Sequence, residues 1–220
     1  MNEHKEKIAF FDFCDTLVPF QSADAYVKFV LKHHKSLPML MRRVFFVFLR
    51  NMHLLNWYIK KKHTTHKALV LRQLKGLSET VMLDMGKLFY EERIKTSLIP
   101  ETYNRMKQLQ QEGYRIVIVS GGYDIYLRLF AAENGIKHCD ILSTELLFDE
   151  GVFSGKWVSD CMNETKVLQI EKRFDRENIY SIAYSDSLAD LPLLTWCNEA
   201  YLVQHNTYVK TNRLLNLVLV

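Results

Sequence analysis

The chain has 220 residues, 48% of them apolar, and 29 Lys/Arg against 25 Asp/Glu for a formal net charge of +4. That length supports one domain with an insertion or two small ones, the apolar share supports a sizeable core, and the mild charge argues against a nucleic-acid binder. Four widely spaced cysteines (Cys14, Cys139, Cys161, Cys197), with no C-x-x-C pair, argue against a disulfide or zinc framework and for reduced thiols in a cytoplasmic protein.

Residues 1–7 are polar and precede an apolar run that Asp12 interrupts, unlike the longer apolar stretch and cleavage site of a signal peptide. Residues 7–11 read as a buried strand that delivers Asp12 to its C-terminal end. Ligands of open α/β sheets bind beyond such strand ends, which makes Asp12 the first candidate for chemistry. From about 22 to 97 no convincing strand is found. Helical periodicity dominates there, with breaks near Ser36-Leu37-Pro38, His63-Thr64-Thr65 and Gly76-Leu77-Ser78. Within this interval residues 37–59 are strongly apolar and aromatic. Arg42, Arg43, Arg50, Asn51 and His53 argue against a membrane span. The stretch is read as a buried helix, with a surface for lipid or a greasy substrate as the lesser alternative.

Further on, helices are expected over 100–112, 124–134 and 165–174, and strands over 115–119 and 179–184. The strands end in Ser120-Gly121-Gly122 and Ser185-Asp186-Ser187. Asp149-Glu150-Gly151 reads as a hairpin turn. Strands alternating with helices predict a parallel sheet covered on both faces.

Asp12, Ser120, Lys166 and the pair Asp186 and Asp190 thus follow one another at strand ends and helix starts. This ordered set resembles the haloacid dehalogenase (HAD) superfamily, most closely its phosphoserine-phosphatase-like branch. Residues 185–194 (SDSLADLPLL) look like that branch's fourth motif, and 151–155 (GVFSG) and 161–166 (CMNETK) are also similar. The resemblance implies an α/β fold: a Rossmann-like parallel-sheet core of residues 1–19 and 98–220, with an all-helical cap of residues 20–97. It further implies a Mg²⁺-dependent phosphomonoester hydrolase acting on a small phosphorylated substrate.

In that reading Asp12 attacks phosphorus and forms an aspartyl-phosphate, which splits one hard hydrolysis into two easier steps. Carboxylate and phosphate repel each other, and Mg²⁺ brings them together. Asp12, Asp186 and, by resemblance, the main-chain carbonyl of Cys14 are its expected ligands, with Asp190 orienting the metal shell or Lys166. The Ser120 hydroxyl and the N–H groups of Gly121 and Gly122 would hold phosphoryl oxygens. Lys166 would neutralise developing charge, and Thr16 would steady the loop by hydrogen bonding.

One position departs from the family pattern. The usual second Asp, the proton donor, lies two residues after the nucleophile, and here that residue is Cys14. A thiol is poorly matched to proton shuttling at neutral pH. Asp15, one residue on, is the substitute candidate, and reduced activity is expected. The alternatives are a non-catalytic or very slow phosphate-binding protein and a metal-independent dehalogenase-like hydrolase. Gln21 stands where the phosphoserine-specific branch carries a Glu that reads an amino group, which argues against phosphoserine. His63 and His66 are weak evidence for a second metal site.

Overall fold

A computed structural model of the chain describes residues 5–137, 140–204 and 207–210. Cys139 falls outside that set; Cys14, Cys161 and Cys197 are free thiols.

The first strand, β1 (Glu6–Phe11), shows why the sheet forms. Ile8, Ala9, Phe10 and Phe11 are all fully buried, so the strand has apolar cover on both faces, as a central parallel strand must. Alternate residues enter different cores. Ile8 and Phe10 join Val117, Val119, Leu193 and Trp196 on one side. Ala9 and Phe11 join Met106, Ile116, Ile118 and Tyr184 on the other.

Six more strands complete the sheet: β2 (Arg115–Tyr123), β3 (Ile141–Asp149), β4 (Val152–Ser159), β5 (Ile179–Ser185), β6 (Glu199–Gln204) and β7 (Thr207–Lys210), in the order β4-β3-β2-β1-β5-β6-β7. The five inner strands pair in parallel, and β4 and β7 are antiparallel edges. The chain leaves β1 for β2 and β3 on one side and reaches β5 and β6 on the other. The strand order therefore reverses beside β1, and ligand crevices of open α/β sheets form at such a point. Phe11 is level with Ile118 and Tyr184, so residues just past these three strand ends are neighbours.

Helices α6 (Pro100–Gln111), α7 (Asp124–Glu133), α8 (Glu164–Glu171) and α9 (Leu191–Trp196) connect the strands. Gly113 and Gly135 follow α6 and α7 with positive φ, where a left-handed residue stops the helix. The hairpin between β3 and β4 turns on Glu150 and Gly151, both at positive φ, the conformation that matches the twist of the strands. β2 is longer than predicted. It continues through Ser120, Gly121 and Gly122 to Tyr123, with a shift in its register against β3 after Val119.

Between β1 and α6 the chain is helical: α1 (Ser22–His33), α2 (Leu37–Asn51), α3 (Leu55–Lys61), α4 (His66–Arg72) and α5 (Glu79–Phe89), the last running into a π turn at Tyr90–Ile94. The predicted breaks coincide with N-terminal ends. Ser36 precedes α2, and the side chains of Thr65 and Ser78 cap α4 and α5 by accepting from Ala68 N and Val81 N. The insertion is tied to the sheet by short pairing, Gly76 N to Phe153 O (2.9 Å) and Phe153 N to Leu77 O (2.8 Å), a bridge that helical periodicity concealed. The rings of Tyr26, Phe89 and Tyr126 join α1, α5 and α7 at centroid distances of 5.2–5.6 Å.

One expectation is overturned. The apolar stretch 37–59 is not a buried helix. Of α2 only Met39 and Leu49 are buried, and α3 buries no residue. Periodicity reports that a helix has apolar positions; it does not report how many sides of it find a partner.

Candidate active site

Asp12 stands one residue past β1, its amide bonded to Tyr184 O of β5 at 2.9 Å. Asp12 is 6% exposed. Lys166, in the first turn of α8, places Nζ 2.8 Å from Asp12 Oδ1 and 2.6 Å from Asp190 Oδ2, and both partners are as buried as the lysine. Asp190 is fixed in turn by Ser185, whose hydroxyl donates to Asp190 Oδ2 at 2.7 Å. Three elements far apart in sequence thus converge through one ammonium group.

The electrostatics follow from that geometry. Burial raises the pKa of Asp12 to about 6, against the pull of Lys166. Burial also opposes the charge of Lys166, but its two carboxylate partners outweigh it and hold the ammonium protonated well above its ordinary range. Asp186, half-buried, has its pKa raised by burial and by the nearby charge of Asp15.

Asp12, Cys14, Lys166, Asp186 and Asp190 line one cleft of about 360 Å³, together with Gly121, Asn163, Gln21, Asp24, His66 and Lys67. Asp12 and Asp186 therefore face the same space rather than being separated by packed hydrocarbon. Thr16, fully buried, links the two loops: its hydroxyl accepts from Asp186 N at 3.1 Å and lies 3.5 Å from Asp186 Oδ1. Met162 packs closely on Gly121 in the wall, where a Cβ would lie 2.8 Å from Met162 Cγ.

Other predicted residues are placed differently. Ser120 is fully buried and outside the cleft lining, and its hydroxyl accepts from Gly122 N at 3.0 Å. Gly122 faces the Tyr126 and Ser22 hydroxyls instead. Asp15 is not part of the cleft wall. It sits at positive φ, and its carboxylate accepts from Gln21 Nε2 at 2.6 Å. The Cys14 thiol is held by Ser22, through the backbone amide at 3.2 Å and the hydroxyl at 3.1 Å. That hydroxyl also meets Tyr126 Oη at 2.9 Å. Burial and the charge of Asp12 push the thiol up to about 11, so it stays protonated.

Lys67 was missed. Its ammonium reaches Thr144 Oγ1 and Asp160 Oδ1, each at 2.6 Å, from α4 across to the sheet while lining the cleft. No local motif marks it; its role depends on where α4 packs. Ser185 was visible at the end of β5 but carried no signal for its bond to Asp190.

Among the described residues no group of three or more His, Cys, Asp and Glu side chains could hold a metal ion. Asp12 and Asp186 offer two carboxylates on one cleft, and Asp186 forms no ion pair among the described residues. Two carboxylates with room for water and phosphate oxygens fit Mg²⁺, which is seldom caged by protein alone.

Comparisons with known proteins agree with this fold. The chain is similar over 89% of its length to a protein of unknown function from Bordetella pertussis Tohama I, with 21% identity, a TM-score of 0.71 and 89% of that chain covered. A phosphoserine phosphohydrolase-like protein from Francisella tularensis subsp. tularensis SCHU S4 matches over 96% of this chain and 92% of its own at 17% identity and a TM-score of 0.59. A phosphoserine phosphatase in apo form matches over 89% and 85% at 18% identity and a TM-score of 0.56. No curated protein matches the sequence. The family model for haloacid dehalogenase-like hydrolases matches residues 9–195, from within β1 into α9 and including every strand-end carboxylate of the cleft, and the chain belongs to that family of hydrolases.

Proposed function

We propose that this hydrolase cleaves phosphomonoesters through an aspartyl-phosphate on Asp12. The observation that carries the reading is the buried Asp12–Lys166–Asp190 set opening onto a cleft that Asp186 also lines. A lysine held between two carboxylates keeps its charge and its position, and a fixed charge beside a transferring phosphoryl group needs no reorganisation as charge develops. Asp190 and Ser185 orient Lys166, Thr16 orients Asp186, and the backbone at Gly121 forms part of the wall facing the phosphoryl group. Asp12, Asp186 and the Cys14 carbonyl would hold Mg²⁺, which when bound neutralises the repulsion between carboxylate and phosphate. Residues 20–97 act as the cap over the strand ends, contributing Gln21, Asp24, His66 and Lys67 to the cleft. Gln21 carries no charge to pair with an ammonium, so the substrate is a phosphorylated metabolite other than phosphoserine. The shared fold with a phosphoserine phosphatase supports the reaction class.

The position of Cys14 makes the activity narrow. The protonated thiol is a weak donor, and Asp15 would have to release Gln21 to serve. Substrates whose leaving group needs little protonation are therefore favoured. The test is phosphate release from a panel of aryl, sugar and other phosphomonoesters with Mg²⁺. Turnover should disappear with a chelator and with Asp12→Asn. Turnover that survives both would overturn the reading, and chelator-resistant cleavage of a haloacid would point to a dehalogenase. Beryllofluoride binding with no turnover on any substrate would mark a phosphate-binding protein.

A further inference from the structure

Residues 25–78 contain twelve Lys/Arg and not one Asp or Glu, whereas the other 166 residues carry 17 Lys/Arg against 25 Asp/Glu. The small net charge of the chain therefore conceals a strongly basic element on an acidic body.

The same element carries an outward apolar stripe. Nine of the fifteen exposed large apolar side chains among the described residues lie between Leu37 and Trp57. On α2 they are Leu37, Leu40, Met41, Val44, Phe45 and Phe48, at 49–72% exposure and at positions i, i+3, i+4, i+7, i+8 and i+11. That spacing is one face of a helix. Of the two buried residues, Met39 lies opposite the stripe and Leu49 beside its Phe45 edge, and they hold α2 to the protein. Arg43 and Arg50, two turns apart and both exposed, lie on the side of α2 away from the stripe, near Met39. On α3, Trp57 is exposed under the Lys61 ammonium, 4.6 Å from its ring, beside exposed Lys60 and Lys62. A contiguous apolar face of this kind marks an interface rather than ordinary surface.

We propose that α2 and α3 dock on an anionic lipid surface, with the α2 stripe and Trp57 entering the headgroup boundary while Lys60, Lys61 and Lys62 pair with lipid phosphates. Apolar stripe, aromatic anchor and flanking cations are the features of a helix that lies in the membrane interface. None of the described helices is long and apolar enough to cross a membrane, so the contact is peripheral. Charge discriminates between occupants. A second copy would bring two acid-free basic elements together, which is repulsive, and a nucleic acid would satisfy the cations but leave the stripe in water. This inference is independent of the catalytic reading.

The test uses the full chain, without substrate or Mg²⁺, in co-sedimentation with vesicles of phosphatidylcholine alone or mixed with phosphatidylglycerol. Binding to the mixed vesicles should exceed binding to neutral ones at least about tenfold and weaken with added salt. The double variant Phe45→Ser, Phe48→Ser and the triple variant Lys60→Glu, Lys61→Glu, Lys62→Glu should each lose at least about tenfold in partitioning, with folding checked by circular dichroism. The control Lys137→Glu, Lys172→Glu, outside the element, should bind as the wild type does. Equal binding to neutral and anionic vesicles, or variants that bind undiminished, would overturn the proposal. So would concentration-dependent dimerisation abolished by the Phe45/Phe48 variant without vesicle binding, or a DNA mobility shift that this variant leaves unchanged.

Discussion

At Lys166 the chemistry of the site and the stability of the fold meet. Its ammonium is the sole ion-pair partner of Asp12 and of Asp190 among the described residues. Lys166→Met fills similar volume but strands two buried carboxylates, and breaking a buried pair from one side costs about 3–5 kcal/mol. Urea unfolding at neutral pH should show a loss of that size, far beyond what an exposed lysine would give. Cys14 yields the converse prediction. Cys14→Asp puts a carboxyl group where the family's proton donor stands, and a positioned general acid contributes about 10²–10⁴-fold. Turnover of alkyl phosphates should rise about a hundredfold, the low end of that range, with little change for aryl phosphates. Parallel changes in both substrate types would show that the substitution acts otherwise. Asp12, Lys166, Asp186 and Asp190 were all legible in the sequence because each lies at a strand end or helix start with a motif around it. Lys67 was not, because a lysine on an amphipathic helix looks the same whether it faces water or a cleft.

The elements divide along the same line. Boundaries set by local chemistry were readable: the caps at Thr65 and Ser78, the turn at Gly151, the stop at Gly113. The exposed side of α2 and the continuation of β2 through Ser120-Gly121-Gly122 were not, since both depend on which neighbour arrives. Packing between α5 and α7 allows a test at this scale. Gly86 lies against Ile125, and a Cβ at that position would overlap the Ile125 side chain. Gly→Ala inside a helix gains about 1 kcal/mol in propensity, whereas overpacking a tight contact costs about 1–3 kcal/mol. Gly86→Ala should therefore be destabilising, as a lower urea midpoint. A neutral or stabilised variant would mean that α5 is not seated on α7 as described.

Over the whole molecule, the parallel sheet brings residues 12, 166, 186 and 190 to one end, and the charge distribution sets an acidic body against the basic helical element. The far edge of the sheet has its own electrostatic lock. Lys210, then Tyr180 and Tyr201, hydrogen-bond the Glu199 carboxylate at 2.5, 2.5 and 2.8 Å, and together these bonds lower its pKa to about 2. A carboxylate depressed in the folded state stabilises the fold above its unfolded pKa, and that contribution is lost as pH falls through the folded value. Glu199→Gln should accordingly be less stable than wild type at pH 7, with the difference shrinking between about pH 4.5 and 2. Urea midpoints at both ends of that window check it, and a constant difference would refute the assignment.

What the order of residues determined unaided was the inner strands β1, β2 and β5, the hairpin turn at Gly151, the helical interval before α6, helices α6 to α8, and the identity of the four strand-end and helix-start groups, because backbone preference and burial period are properties of neighbours in the chain. Only the tertiary structure decided that Lys166 would join Asp12 to Asp190, that Asp15 would turn to Gln21, and that one side of α2 would remain in water. The first joins segments 154 residues apart, and the other two depend on which neighbour a loop or helix side meets, which no local pattern encodes.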